Sequence, residues 1–507
     1  MKGKKNRSYY LFRIEKIVNT RRDFLKKASF HTAALALPGF GVSFAGGRDN
    51  PPNILFAIAD DWSWPHASIA YQMHINGSDS VIRTPVFDRI AREGILFTNA
   101  FCCAPSCSPS RSAILTGRNI WQLETAANLR GILPTKFKTY PDILEESGYY
   151  VGYTGKGWSP GPLGERKRNP AGTQFDRIRD YHLRISDFYE FWKTRPKEKP
   201  FCFWLGGWDS HRPYKRDSGV KSGMKPQDVS VPACLPDNMT VRKDICDYYF
   251  EVQRFDRDVG AVLKFLAEQN ELENTIVVMC GDNGLPFPRC KVELYDSGTN
   301  IPLAIRWGDK IKAGRVVSDF VNLAELAPTF IEAAGQKPPA TMTAKSLMKV
   351  LASKKQGQVD PERDKVFTAR EYHDFECREG DVGYPVRAVR TSEFLYIRNC
   401  EPERWPAGDP FEFRKARGMY GEIDPSPTKR FMMEHKDDQK IRKIFELGFK
   451  KRPAEELYDL RKDPGQLDNV ADDIEYSEPK RELSTILMKE LRYTGDPRAL
   501  GSNHSFK

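Results

Sequence analysis

The stretch Asn53-Ile-Leu-Phe-Ala-Ile-Ala-Asp60-Asp61-Trp62 decides the fold, because an unbroken apolar run of strand length stops at once on two carboxylates. A run with no polar alternation suits a central parallel strand covered on both faces. Open α/β sheets gather ligands at the carboxyl ends of their strands. Two adjacent carboxylates there are costly unless a cation or hydrogen bonds satisfy them. Asp60 and Asp61 therefore read either as a Ca²⁺ or Mg²⁺ site or as a helix-capping Asp with a solvated neighbour.

The same pattern recurs along the chain. Ile95-Leu-Phe-Thr-Asn-Ala-Phe101 is a second strand. Tyr149-Tyr-Val-Gly-Tyr-Thr-Gly155 delivers Lys156, and Phe201-Cys-Phe-Trp-Leu-Gly206 runs on to Trp208-Asp-Ser-His211-Arg212. Thr275-Ile-Val-Val-Met-Cys280 leads into Gly281-Asp282-Asn283-Gly284. Between the strands lie helical segments: Thr84 to Gly94, with Pro85 near its start and Gly94 as its stop; Tyr140 to Gly148; and a long one over much of Val241 to Gln269. Alternating strands and helices predict a doubly wound α/β fold in which Asp60/Asp61, Lys156, His211 and Asp282/Asn283 converge on one sheet edge. Pro and Gly recur through 157–172 with Arg166, Lys167 and Arg168 between them, which predicts a basic rim loop.

The polar stretch Ser353-Lys-Lys-Gln-Gly-Gln-Val-Asp-Pro-Glu-Arg363 marks a subdomain boundary after Ala352. Beyond it, Val386 to Ile397 reads as a hairpin turning at Thr391-Ser392-Glu393, so residues 353–507 are expected to form a smaller subdomain with an antiparallel sheet. Residues 46–352 form the larger domain.

At 507 residues, 40% hydrophobic and 29% charged, the chain has the composition of an ordinary globular protein with ample core. The net charge of +11 is uneven: residues 1–45 hold ten Lys/Arg against two Asp/Glu, leaving only +3 for the rest. Nucleic-acid binding loses its main support, and an anionic ligand must be met by a local basic patch. In that leader Thr20-Arg-Arg-Asp-Phe-Leu-Lys26 precedes an apolar run from Ala33 to Phe44, and the small residues of Ser43-Phe44-Ala45 follow. This resembles a bacterial twin-arginine signal cleaved near Ala45, with a basic amphipathic helix as the other reading. The apolar run is too short to span a bilayer, so the protein is not expected to be integral to the membrane. A periplasmic or secreted location follows, with the twin-arginine export machinery as a partner. The ten cysteines show no zinc-finger spacing and form no disulfide scaffold, although one or two bridges remain open. Cys202 and Cys280, inside apolar runs, read as small buried hydrophobes.

One further stretch carries chemistry: Ala104-Pro-Ser-Cys-Ser-Pro-Ser-Arg-Ser-Ala-Ile-Leu-Thr-Gly117. Pro109 suits the first turn of a helix, so Cys107 is expected just before a helix beginning near Ser110, where backbone N–H groups attract anions. Arg111 adds a permanent cation. Taken alone, Cys107 reads equally as a buried or metal-bound cysteine beside a capped helix.

Cys107-Ser-Pro-Ser-Arg111 followed by Thr116-Gly117 resembles the signature of the type I sulfatases, in which the cysteine is oxidised to Cα-formylglycine. The resemblance extends over Asn53 to Trp62, Thr84 to Phe101, Gly155-Lys156, Asp209 to Arg212, Gly281 to Gly284, and Glu456-Leu-Tyr-Asp-Leu-Arg-Lys-Asp-Pro464. It implies an alkaline-phosphatase-like α/β sandwich, with a central, mostly parallel sheet and a smaller C-terminal α+β subdomain. It implies a sulfatase that hydrolyses sulfate esters or sulfamates of a sulfated saccharide. Asp60, Asp61, Asp282, Asn283 and the modified Cys107 would hold the metal, usually Ca²⁺ rather than Mg²⁺. A formylglycine-generating enzyme would be a partner, acting before export because the twin-arginine route carries folded proteins. Hydrated formylglycine would supply the nucleophilic hydroxyl, and its second hydroxyl would allow sulfate to be expelled. Arg111 would hold the hydrated aldehyde, Lys156 and Lys291 would bind sulfate oxygens, and His211 would protonate the leaving oxygen or nitrogen.

A narrower resemblance, to the N-sulfoglucosamine sulfohydrolases, lies in Asp282 to Tyr295, Ser297-Gly-Thr299, Asp209-Ser-His-Arg212, and His373 followed by Tyr384-Pro-Val-Arg-Ala-Val-Arg390. It makes His373 and Arg387 candidate substrate contacts, Arg387 with a structural role as the alternative. The chain departs from that pattern at Lys291, where Arg is common, and at Trp158, where the wider family commonly has histidine. Either another group contacts the sulfate there, or Trp158 shapes a sugar subsite. Two other functions fit the same residues: a phosphate or phosphonate ester hydrolase, and a non-catalytic protein that binds sulfated glycans.

Overall fold

Residues Asn53–Ala59 form β1, and the computed structural model buries every one of them near the middle of an eight-stranded sheet. The structure describes residues 51–176, 185–412, 418–501 and 506, so the basic leader lies outside the described residues. The sheet is completed by β2 (Ile95–Phe101), β3 (Tyr150–Gly155), β4 (Thr173–Gln174), β5 (Phe201–Gly206), β6 (Thr275–Gly281), β7 (Leu303–Arg306) and β8 (Arg315–Asn322). Its order is β4-β3-β5-β1-β6-β7-β2-β8, parallel throughout except for β7, which runs antiparallel to both β6 and β2.

Register, more than strand order, places the polar residues. Ala59 of β1 pairs with Gly281 of β6, Ile58 pairs with Gly206 of β5, and Gly206 pairs with Gly155 of β3. Three strands flanking one another therefore end level with β1, and the residues just beyond them leave the sheet side by side. Glycine at 206 is required by that crowding, because a Cβ there would sit 2.0 Å from the Lys156 carbonyl oxygen.

Alternation along β1 divides the core. Leu55, Ala57 and Ala59 pack on one face with Val252, Phe255, Val259 and Leu266 of the long helix Met239–Glu268. Ile54, Phe56 and Ile58 pack on the other with Ile114, Leu115, Tyr140, Leu144, Leu326 and Phe330. Burying such side chains contributes roughly 1.5–3 kcal/mol each relative to exposure. Both faces being covered explains why the strand sequence never alternates with polar residues. The long helix starts at Asn238, whose side-chain oxygen accepts from the N–H groups of Thr240 and Val241.

The second sheet is antiparallel, with order β12-β11-β10-β9, built from β9 (Lys365–Arg370), β10 (Val386–Thr391), β11 (Phe394–Asn399) and β12 (Glu455–Asp459). The β10–β11 hairpin turns where the sequence predicts, with Thr391 Oγ1 accepting from the Phe394 N–H at 3.1 Å. Ala369, Val389, Tyr396 and Leu457 from this sheet pack with Leu483, Leu487 and Leu491 of the helix Ser477–Tyr493 and with Cys103, Ala104 and Ala113. The smaller sheet is thus anchored beside the Cys107 turn, and all described residues belong to one compact unit, Gly46–Lys507. Among the described residues no helix is long and apolar enough to cross a membrane. All ten cysteines are free thiols, and Cys202 and Cys280 are buried in β5 and β6.

Candidate active site

The helix carrying Cys107 spans Cys107–Thr116, so it begins three residues earlier than Pro109 led the sequence reading to expect. Pro109 is tolerated inside the first turn because its missing N–H would have had no helical partner. Cys107 is therefore the first helical residue, and Arg111, four residues on, shares its face. Gly117 closes the helix in the left-handed conformation (φ 62°), its N–H donating to Ala113 O. At the other end Ser106 precedes the helix but its side chain makes no cap bond. Its hydroxyl is hydrogen-bonded instead to His373 Nδ1 at 2.8 Å, which ties the turn to the segment between β9 and β10.

Around Cys107 the strand ends converge as the register requires. Its thiol donates to Asp60 Oδ1 at 3.3 Å, and Asp60, Cys107 and His211 each place one polar atom within 4.8 Å of the others. Lys156 Nζ pairs with the other Asp60 oxygen. Arg111 Nε donates to Asp282 Oδ2 at 2.8 Å, while its Nη1 donates to the carbonyls of Lys156 and Gly157. Asp282 Oδ1 accepts from the Asp61 N–H at 3.0 Å, and Asn283 Nδ2 donates to Asp61 Oδ1 at 2.6 Å. Lys291 Nζ lies 2.9 Å from Asp61 Oδ2 and 3.2 Å from Asp424 Oδ2. Asp60, Asp61, Cys107, Arg111, Lys156, His211, Asp282, Asn283, Lys291 and His373, taken from the sequence, thus fall in one cluster.

The electrostatics follow from burial and close charges. Burial alone raises a carboxyl, yet Lys156, His211, Arg111 and Lys291 together hold Asp60 well below the usual carboxylate range. Asp282 goes the other way: burial and the neighbouring Asp60 push it up to about 6. Burial, reinforced by Asp60, pushes the Cys107 thiol far above its ordinary value, so the unmodified side chain is a protonated, poorly nucleophilic thiol at neutral pH. Against the opposing effect of burial, Asp424 and Asp61 keep Lys291 firmly protonated. His373 is held neutral by burial and by Lys291.

The residues fit a divalent cation. Asp60, Asp61 and Asp282 are fully buried and each offers an oxygen within 4.8 Å of the others. Asn283 Oδ1 beside them is buried without a partner, as is Arg111 Nη2. An orphaned amide oxygen next to three carboxylates is a hard-oxygen donor set. The four carboxylates of Asp60, Asp61, Asp282 and Asp424 exceed the cations Arg111, Lys156 and Lys291 by one charge, so adding a divalent cation leaves the pocket positive, as an anionic substrate requires.

Two substrate-contact expectations are corrected. Trp158 is 1% exposed and packs in the core with Leu133 and Phe137, its Nε1 donating to Ser112 Oγ at 2.8 Å. It braces the underside of the Cys107 helix and offers no face to a sugar. Arg387 is buried in an ion cluster with Glu371 and Asp496, which makes it structural. The loop 157–172 is also less basic than expected: Arg166 turns inward to the carbonyls of Leu133, Pro134 and Phe137, and Arg168 pairs with Glu145. Asp424 is the residue the sequence reading missed. It sits in Gly421-Glu-Ile-Asp424-Pro425, a loop without periodicity or motif.

Comparison with known proteins agrees with this geometry. A sulfatase family model matches residues 52–336, and a model described as N-sulphoglucosamine sulphohydrolase, C-terminal, matches residues 290–414. An ulvan-active sulfatase of Formosa agariphila is 27% identical, covering 88% of this chain and 75% of its own. Human N-sulphoglucosamine sulphohydrolase is 26% identical, covering 89% and 92%. A solved structure of a protein in complex with its substrate, D-glucosamine-2-N,6-O-disulfate, superposes with a TM-score of 0.62 over 88% of this chain and 99% of that one, at 19% identity. That likeness bears out the expected fold, an alkaline-phosphatase-like sandwich with a mostly parallel sheet and a smaller antiparallel one.

Proposed function

Because the chain belongs to the sulfatase family, and so hydrolyses sulfate esters or sulfamates, we propose that its substrate is a sulfated saccharide attacked at Cys107, matured to Cα-formylglycine, beside Ca²⁺. The observation that carries this reading is the position of Cys107. It starts a helix against Asp60, Lys156 and His211, with the unpartnered Arg111 Nη2 and Asn283 Oδ1 in the same cluster. The ulvan-active and N-sulphoglucosamine relatives support a saccharide substrate.

Hydrated formylglycine would supply a hydroxyl nucleophile and a second hydroxyl whose deprotonation restores the aldehyde C=O as the C–O bond to sulfate breaks, and a cation held by Asp60, Asp61, Asp282 and Asn283 would neutralise the sulfuryl oxygens. Three carboxylates and an amide oxygen suit Ca²⁺, which accepts six to eight oxygens, better than Mg²⁺, which rarely takes so many protein ligands. The chain's own residues do the rest. Lys156 and Lys291 each carry three N–H protons, so Lys156 beside Asp60 and Lys291 between Asp61 and Asp424 each keep one to donate to a sulfate oxygen. Arg111, with Nε and Nη1 engaged, keeps Nη2 to hold the hydroxyl on residue 107. The His211 Nδ1 faces the Arg212 carbonyl, which only accepts, so Nδ1 bears one proton there, and a second proton taken up on Nε2 is the one the ring would pass to the leaving oxygen or nitrogen.

Residues 1–45 are read as a twin-arginine leader, which sends the mature protein to the periplasm or beyond. Oxidation of Cys107 by a formylglycine-generating enzyme then precedes export. Replacing Arg21 and Arg22 with lysine should leave the precursor inside the cell; unchanged export would remove this part of the reading.

The test of the function is sulfate release from a panel of N- and O-sulfated saccharides and an aryl sulfate. Wild-type protein should release sulfate from at least one saccharide and Cys107→Ala from none. Identical behaviour of the two across the whole panel would sink the reading.

A further inference from the structure

The pocket contains one acid that the sulfatase reading leaves without a task. Asp424 comes from the smaller subdomain, and its side chain is 24% exposed, whereas those of Asp60, Asp61 and Asp282 are sealed and that of Lys291 is 5% exposed. It therefore stands at the mouth, on the side from which a substrate enters. Its carboxylate shares Lys291 with Asp61 and lies within 4.8 Å of polar atoms of Asp61 and His211. His211 is the group that faces the leaving atom, so Asp424 borders the part of the saccharide next to the scissile bond.

The loop holds this acid in place. Lys429 Nζ donates to the carbonyls of Tyr420 and Ile423 at 2.9 Å each, Glu422 is clamped by Arg370 and Arg378, and Ser426 caps the helix Pro427–Glu434. A fixed carboxylate at the mouth of an anion pocket works against a second anion and in favour of a hydrogen-bond donor. It also spares the binding of the scissile sulfate, because Lys291 stays positive between the two acids.

We propose that Asp424 is a specificity-determining residue: it accepts a hydrogen bond from a hydroxyl or amino group adjacent to the scissile sulfate and turns away saccharides sulfated at that adjacent position. The inference rests on the sulfatase reading but can fail separately from it.

The experiment uses Ca²⁺-loaded full-length Cys107→Ala, which binds without turnover, and calorimetric titration with glucosamine 2-N-sulfate and glucosamine 2-N,3-O-disulfate. The monosulfate should bind at least about tenfold more tightly, and adding Asp424→Asn or Asp424→Ala should shrink that preference by about tenfold. Loss common to both ligands, such as a displaced Lys291, cancels in the ratio. An unchanged ratio, the absence of a preference in Cys107→Ala, or binding of neither saccharide overturns the proposal. Whether the wild-type protein releases sulfate from any saccharide is scored independently, so the function can stand while this inference falls.

Discussion

Replacing Arg111 tests the electrostatic frame of the site, because its guanidinium holds three groups at once. In Arg111→Ala the Nε–Asp282 Oδ2 contact of 2.8 Å is lost between two fully buried side chains. Asp282 then keeps only the Asp61 N–H at 3.0 Å on its other oxygen, with Asp60 nearby to repel it. Removing one partner of such a pair costs about 3–5 kcal/mol. The Lys156 carbonyl keeps the Trp204 Nε1 donor at 3.1 Å, whereas the Gly157 carbonyl loses its 2.9 Å donor. Arg111→Lys retains the charge, but one nitrogen cannot span both Asp282 and the two carbonyls, so its cost is about 1–3 kcal/mol. Urea unfolding without divalent ions should rank wild type above Lys above Ala. Adding Ca²⁺ should narrow the Ala deficit, because the cation supplies positive charge beside Asp282. In sulfate release both variants should lose about 10²–10³ in kcat, since the remaining donor on Nη2 is gone. An alanine variant within about 0.5 kcal/mol of wild type, or a fully active lysine variant, would refute the reasoning.

Chelation of divalent ions should destabilise the wild-type protein by about 2.7 kcal/mol relative to Ca²⁺ at a hundred times its dissociation constant, and Asp282→Asn should reduce that difference; both are read as shifts in the urea midpoint. Burial holds the His66 pKa down at about 3, and its Nδ1 has no partner. The ring therefore folds neutral, and its contribution is complete above pH 6.5 and is lost as pH falls from 6.5 towards 3. Over that window the loss reaches about 4–5 kcal/mol, so His66→Leu should flatten the acid limb of stability against pH; an unchanged limb would contradict the assignment. Trp158→Phe should cost about 1–2 kcal/mol through the lost bond to Ser112 while leaving the ranking of saccharide substrates unchanged. A changed ranking would restore Trp158 to the sugar subsite.

The parts of the site legible in the sequence are those carried by strand ends. Asn53–Ala59 and Phe201–Gly206 announce themselves because burial on both faces leaves no room for alternation, and the polar residues after them can only sit at the sheet edge. The helix start was misread because a proline fits any of the first helical positions, and the choice between them is made by tertiary contacts, here Ser106 with His373. Trp158 and Arg387 look like surface recognition residues by type. What fixes them inside is a partner distant in sequence: Ser112 for one, and Glu371 with Asp496 for the other. Asp424 was illegible for the same reason, since it stands 133 residues from Lys291 and nothing local marks it.

The central claim is that sulfate release depends on Cys107 in its oxidised form. The most direct measurement prepares the protein with graded amounts of formylglycine-generating enzyme. In each preparation the fraction of converted Cys107 is read by peptide mass and set against the rate of sulfate release. The account predicts a rate proportional to the converted fraction, extrapolating to zero where Cys107 is wholly unmodified. A preparation with unmodified Cys107 that releases sulfate as fast as the converted protein would contradict it.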